Sequence, residues 1–139
     1  MSTIREFTTV ACPFDKVPER LVAHFDGGDA ILPLRVRIGE FKVERDVEFH
    51  LKSKPAYPGY ELLDVSWSPK NGGPYPTFSG TLSVGEDAVG WSRLEIDGTY
   101  KPPFGVVGAA FDAALGNRIA QGTAVELLAE LKRILSSPN

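Results

Sequence analysis

Arg45 is the residue whose chemistry least fits its place. It shares parity with Phe41, Val43, Val47, Phe49 and Leu51, in a run where Lys42, Glu44, Asp46, Glu48 and His50 take the other parity. On a strand, that parity directs Arg45 toward the apolar side, where an unpaired guanidinium is costly. Three arrangements would satisfy it. It could meet an anionic or carbonyl group of a bound molecule, or pair with an acid such as Glu61, whose parity matches Leu63, Val65 and Trp67. A local bulge could instead turn it outward. Trp67, Phe78 and Tyr100 are further candidates, because large rings line apolar pockets and a phenol offers one directed hydrogen bond. The same rings also serve as plain core.

The other polar groups suggest less chemistry. Arg93, Glu95 and Asp97 alternate on one face of a strand. Two such carboxylates could do acid-base work, but cross-strand charge pairs on a wet face explain them better. His24 and His50 stand apart from any carboxylate and nucleophile at a working spacing, and two isolated histidines do not make a metal site. Cys12 is the only cysteine, which excludes an internal disulfide and a thiolate metal cluster; it reads as a small buried apolar residue at a strand end. No GxSxG, P-loop or GxGxxG stretch is present. No catalytic residue is assigned, and neither a metal nor a cofactor is expected.

The chain has 139 residues, 42% of them hydrophobic and 24% charged, which suits a single compact domain over 1–139. A net charge of −3 with acids and bases interleaved argues against nucleic acid as a partner. No stretch approaches eighteen uninterrupted apolar residues, and the opening MSTIREFTTVACPFD lacks a basic start followed by an apolar run. A cytoplasmic protein without stable membrane insertion is the expectation.

The elements that must position these residues follow from periodicity. Thr3 to Cys12 reads as an opening strand that stops at Pro13. A short helix follows, with Asp15 as N-cap, Pro18 in its first turn and an apolar stripe of Val17, Leu21, Val22 and Phe25. Leu34, Val36 and Ile38 alternate with Arg35 and Arg37, and Gly39-Glu40 turns that strand into the one carrying Arg45. Further strands read as Tyr60 to Ser68, Thr77 to Val84 and Val89 to Tyr100, with turns at Pro69 to Pro74 and at Gly85-Glu86-Asp87. Asn71 to Pro76 is either a plain turn or a mobile rim.

After Pro102-Pro103 the period becomes helical from Phe104 to about Leu135. Val107, Phe111, Ala114, Leu115, Ile119, Val125, Leu128, Leu131 and Leu135 recur at three and four. Such a helix would run roughly 48 Å, long enough to cross a whole sheet. Trp91 has the opposite parity from Leu94, Ile96 and Tyr100, so it is expected to face away, over exposed sheet or at a homodimer surface.

The order of strand, short helix, antiparallel strands and long terminal helix resembles the START-like SRPBCC superfamily, the helix-grip fold. The stretches that carry the likeness are VACPFDKVPERLVAHF, TYKPPFGVVGAAFDAALGNRIAQGTAVELLAELKRIL and SWSPKNGGPYPTFSGTLSV. The last is similar to short bacterial members with no assigned activity. The resemblance spans nearly the full chain and rests on pattern, not on catalytic residues. It implies an α+β domain in which a curved antiparallel sheet of six or seven strands wraps one long C-terminal helix, with an apolar cavity between them. Members of the superfamily include lipid carriers, hormone receptors, polyketide cyclases and aromatases, and chaperone-stimulating domains, so the fold cannot choose among activities.

On this reading the cavity lining is drawn from Arg45, Val47, Phe49, Leu63, Trp67, Phe78, Leu94 and Tyr100 on the strands, and from Val107, Phe111 and Leu115 on the helix. The expected partner is a small hydrophobic molecule such as a lipid, fatty acid or aromatic metabolite. Two alternatives stay open. One is a cyclase or aromatase in which Arg45 or Tyr100 polarises a carbonyl, and the other is an interaction domain whose core is filled.

Overall fold

The computed structural model describes residues 2–25, 29–38, 41–55, 58, 60–70, 77–101 and 109–136. β1 (Ser2–Val10) leads through a 3-10 turn at Phe14–Lys16 into α1 (Val17–His24). Then come β2 (Asp29–Ile38), β3 (Phe41–Lys54), β4 (Tyr60–Pro69), β5 (Thr77–Ala88), β6 (Trp91–Lys101) and α2 (Ala109–Ser136). The strands form one antiparallel sheet in the order β1-β6-β5-β4-β3-β2. β2 to β6 are a meander, and β1 closes the far edge by pairing with β6. The expected α+β helix-grip arrangement is what the chain adopts, with six strands among the described residues.

Alternation decides the two faces. Val47, Phe49 and Leu51, Leu63, Val65 and Trp67, Phe78, Leu82 and Val84, and Leu94, Ile96 and Tyr100 are all buried on one side. Their neighbours of the other parity are mostly exposed or half-buried. α2 lies against the buried side, and its backbone comes closest to β1 and β2, the two opposite edges of the sheet. The sheet therefore curls until both edges reach one helix, and the large inner residues of β3 to β6 point into the space between sheet centre and helix. At 28 residues, α2 runs about 42 Å. Its buried stripe is Ala120, Ala124, Leu127, Leu128, Leu131 and Leu135, with Ile119 alongside. Small residues on this stripe allow the helix backbone close to the strands.

Several expected details change. Asp15 does not cap α1: it falls inside the 3-10 turn, and the N-cap is Lys16, without a side-chain hydrogen bond. Val22 is exposed, so the buried face of α1 is Val17 and Leu21, continued by Phe25. Val125 is 48% exposed because the stripe is centred on Ala124, Leu127 and Leu131, which turns it to solvent. Gly85-Glu86-Asp87 is not a turn. Those residues continue β5 to Ala88, with an irregular register between Glu86 and Ala88, and the chain reverses at Val89-Gly90. Gly90 has φ +80°, a conformation that favours glycine. The turns expected at Gly39-Glu40 and Asn71 to Pro76 lie outside the described residues.

Candidate functional site

The pairing register brings one row of aromatic side chains together on the inner face. Phe49 of β3 stands opposite Trp67 of β4, Trp67 opposite Phe78 of β5, and Phe78 opposite Tyr100 of β6. Each aligned position carries its Cβ on the same face, and opposed side chains on adjacent strands touch. The Trp67 and Phe78 rings are stacked, with centroids 4.3 Å apart and planes 12° from parallel. Phe49 also meets Phe25, the residue just after α1, edge to face at 5.4 Å. All four rings of the row are at most 3% exposed.

The next row toward the sheet centre is small. Gly80 and Gly98 face each other there, between Val65 on β4 and Ile4 on β1. A Cβ at Gly80 would stand 2.8 Å from the tip of the Phe78 ring and one at Gly98 2.7 Å, and either would collide with backbone of the opposite strand. The glycine pair is thus the hollow into which Phe78 leans, and Phe78 in turn supports the face of Trp67. Beyond the glycines the interior becomes aliphatic, with Leu63, Leu82 and Ile96 in one row and Val84 and Leu94 in the next.

One polar atom is left over. Nε1 of Trp67 is buried and has no hydrogen-bond partner among the described residues. Among the described residues, the other buried side-chain nitrogen and oxygen atoms have partners. Ser92 Oγ donates to the Cys12 carbonyl at 2.5 Å, and Thr123 Oγ1 to the Ile119 carbonyl at 2.7 Å. Arg20 Nη1 donates to Cys12 Sγ at 3.2 Å and to the Leu135 carbonyl at 3.5 Å, so it ties α1 to the end of α2. Burial pushes the Cys12 thiol above its ordinary range, partly offset by the nearby Arg20 charge. Cys12 is buried just past β1, as its sequence context predicts.

Of the eleven residues expected to line a cavity, Val47, Phe49, Leu63, Trp67, Phe78, Leu94 and Tyr100 share the inner face and are buried. Val107 lies outside the described residues, as do the side chains of Arg45, Phe111 and Leu115. The backbone of Arg45 can be placed. β2 and β3 pair without a register break, and Arg45 stands opposite Leu34, so no bulge intervenes there. β3 pairs with β4 only from Val47, opposite Pro69. Glu61 is eight residues from Pro69, about 26 Å along the strand at roughly 3.3 Å per residue. An internal Arg45–Glu61 pair is thereby ruled out, since parity brought them to one face and register set them at opposite ends. The glycine pair and Ser92 were not anticipated. A glycine on the inner parity of each of two strands, and a serine on the parity of Leu94, were the available signals.

The outer face is a network of charge pairs and exposed rings. Arg5 meets Asp97 at 2.8 Å, Lys54 meets Asp64 at 3.0 Å, and Arg93 meets Glu95 at 3.3 Å. Arg93 also lies 3.8 Å over the Phe7 ring. Glu95 and Asp97 are therefore partners of cations on a wet face and not a carboxylate dyad. Trp91 is 44% exposed and faces outward as its parity requires. Two open depressions lie away from the interior. One of about 710 Å³ runs between α1 and α2, lined by Glu19, Arg20, His24, Glu130, Arg133 and Ile134. Another of about 430 Å³ lies beside Tyr60, Gly85 and Arg93. Among the described residues no three His, Cys, Asp or Glu side chains gather to hold a metal, and no helix is long and apolar enough to cross a membrane.

No protein-family profile matches the chain, and no curated protein sequence matches it. Solved structures do. A hypothetical protein from Helicobacter pylori, jhp0584, superposes with a TM-score of 0.55 at 12% identity, over 96% of this chain and 88% of that one. TTHA0849 from Thermus thermophilus gives 0.53 at 14% identity, over 96% of this chain and 97% of that one. Likeness at this identity is a likeness of fold.

Proposed function

We propose that this is a START-like SRPBCC domain that binds a small, largely apolar molecule between the centre of the sheet and α2. The observation that supports it is the row Phe49, Trp67, Phe78 and Tyr100, unbroken across four strands on the face that the helix closes. Such a row offers ring faces and one phenol to a ligand and requires no charged group. Because the rings are covered, a ligand must displace what covers them, and binding is coupled to an opening of that end.

Native mass spectrometry of the purified protein, beside solvent extraction of the same sample, tests the reading. A discrete adduct, or uptake from a panel of fatty acids and aromatic compounds, is the expected result. A protein that stays at its apo mass through the whole panel would overturn it. Turnover of a bound compound that depends on the Tyr100 hydroxyl would convert the carrier into an enzyme of the cyclase type.

The near-complete burial of the same four rings favours a second reading, an interaction domain whose core is filled. Its working surface would then be the outer face, where Phe7, Tyr60 and Trp91 are exposed. Concentration-dependent association, lost on Trp91→Ala with no uptake of small molecules, is what that reading expects.

A further inference from the structure

The interior treats its polar atoms unequally, and the exception falls in the aromatic row. Buried hydrogen-bonding groups are satisfied in the great majority of cases, because an unpaired one forfeits its hydration with nothing in return. Ser92 and Thr123 follow that rule. Trp67 does not: it is 2% exposed, and its indole N–H has no partner among the described residues. Its opposite neighbours are Phe49 and Phe78, and the inner residue next along β4 is Val65; none of these side chains has an acceptor. The ring is held in place by its stack on Phe78, which is itself seated over Gly80 and Gly98.

We propose that the indole N–H of Trp67 is the polar anchor of the binding site, donating a hydrogen bond to a neutral carbonyl or ether oxygen on a flat, conjugated ligand. This inference rests on the binding reading above and specifies what the site selects. An indole can only donate, so the ligand must supply the acceptor. Level with Trp67 and from there past the glycine pair, the described inner positions of β3 to β6 carry no lysine or arginine; the inner-parity cation of β3, Arg45, is four residues before Phe49, about 13 Å along the strand. A buried carboxylate would be uncompensated there, which favours a neutral oxygen. Stacked rings on adjacent strands favour a planar partner over a flexible acyl chain.

Fluorene and 9-fluorenone test this, because they share a shape and differ by one carbonyl oxygen. Equilibrium dialysis against the full-length protein should show fluorenone bound roughly three- to tenfold more tightly, the range of one net hydrogen bond. Trp67→Phe keeps a ring and removes the donor, and should abolish the preference while still binding fluorene. Equal affinities in the unaltered protein, or a preference that survives Trp67→Phe, would overturn the proposal and leave the binding reading intact. Failure to bind either compound would count against both. A second measurement needs no variant at position 67. The chain has two tryptophans, so 15N-indole labelling gives two N–H signals, and Trp91→Phe assigns them. The Trp67 signal should move downfield with fluorenone and not with fluorene; if it responds alike to both, the proposal fails.

Discussion

The two ends of the sheet's inner face obey the same alternation and carry different chemistry. At one end Leu63, Leu82, Ile96, Val84 and Leu94 are fully buried and purely aliphatic. α2 from Gln121 onward belongs to that end. Gln121 Nε2 donates to Glu6 Oε2 at 2.8 Å, and the Leu135 carbonyl reaches Arg20, which also holds Cys12. Described polar groups there, such as Ser92, have partners. At the other end stand four rings, one of them a phenol, a glycine hollow and an indole donor with no acceptor among the described residues. A fold maintained only by burial has no need of that second set, because aliphatic side chains fill space without a polar atom to satisfy. Under the proposed binding function, the aliphatic end would supply stability and the aromatic end recognition.

That division can be broken by substitution. The largest effect is expected from Leu131→Ala, which empties a fully buried site under the helix. Urea unfolding should show a loss of about 2–5 kcal/mol, while the folded fraction keeps its affinity for fluorenone within about twofold. If binding falls in parallel, the two ends are one unit and the comparison fails. Next is Gly80→Ala. The new methyl meets the opposing backbone and the Phe78 ring. It should cost about 1–3 kcal/mol and change the near-ultraviolet circular dichroism of the Trp67–Phe78 stack. A silent spectrum would show that the hollow does not position the rings.

Smaller effects sharpen the aliphatic side. Ser92→Ala leaves the Cys12 carbonyl without its buried donor and should cost about 1 kcal/mol or somewhat more in thermal or urea unfolding. Smallest is the alkaline response of Cys12. Its thiol is held above the ordinary range by burial, so the unfolded chain ionises first as pH rises. The unfolded state then binds fewer protons than the folded state, and stability declines above about pH 8.5 and is unaffected below. Cys12→Ala should flatten that part of the stability profile. An unchanged slope would assign it to other groups.

Much of the architecture could be read from local pattern. The parity of Phe49, Trp67, Phe78, Leu94 and Tyr100 assigned each of them to the inner face, and the change of period after Tyr100 announced the long helix. Trp91 was placed outside by the same rule. What local pattern missed was where strands end and which residues stand opposite. The turn expected at Gly85-Glu86-Asp87 falls too early, because β5 continues through an irregular register to a reversal that uses the positive φ of Gly90. Arg45 and Glu61 share a face by parity and are kept apart by register. Asp15 has the right chemistry for a helix cap, but a 3-10 turn precedes the helix and takes it in. For the candidate site, the rings were legible singly and their adjacency was not.

By itself, then, the sequence determined the period of each segment, and so which side chains go to water and which go inward, because a strand or helix presents its residues at a spacing fixed by backbone geometry. Tertiary structure alone decided that the sheet curls until β1 and β2 both reach α2, that Gly80 faces Gly98 beneath Phe78, and that Trp67 stacks there with its N–H unpaired among the described residues. Those outcomes depend on the register and curvature of strands far apart in the chain. Alternation is blind to both, since any shift by two residues keeps the faces and changes every neighbour.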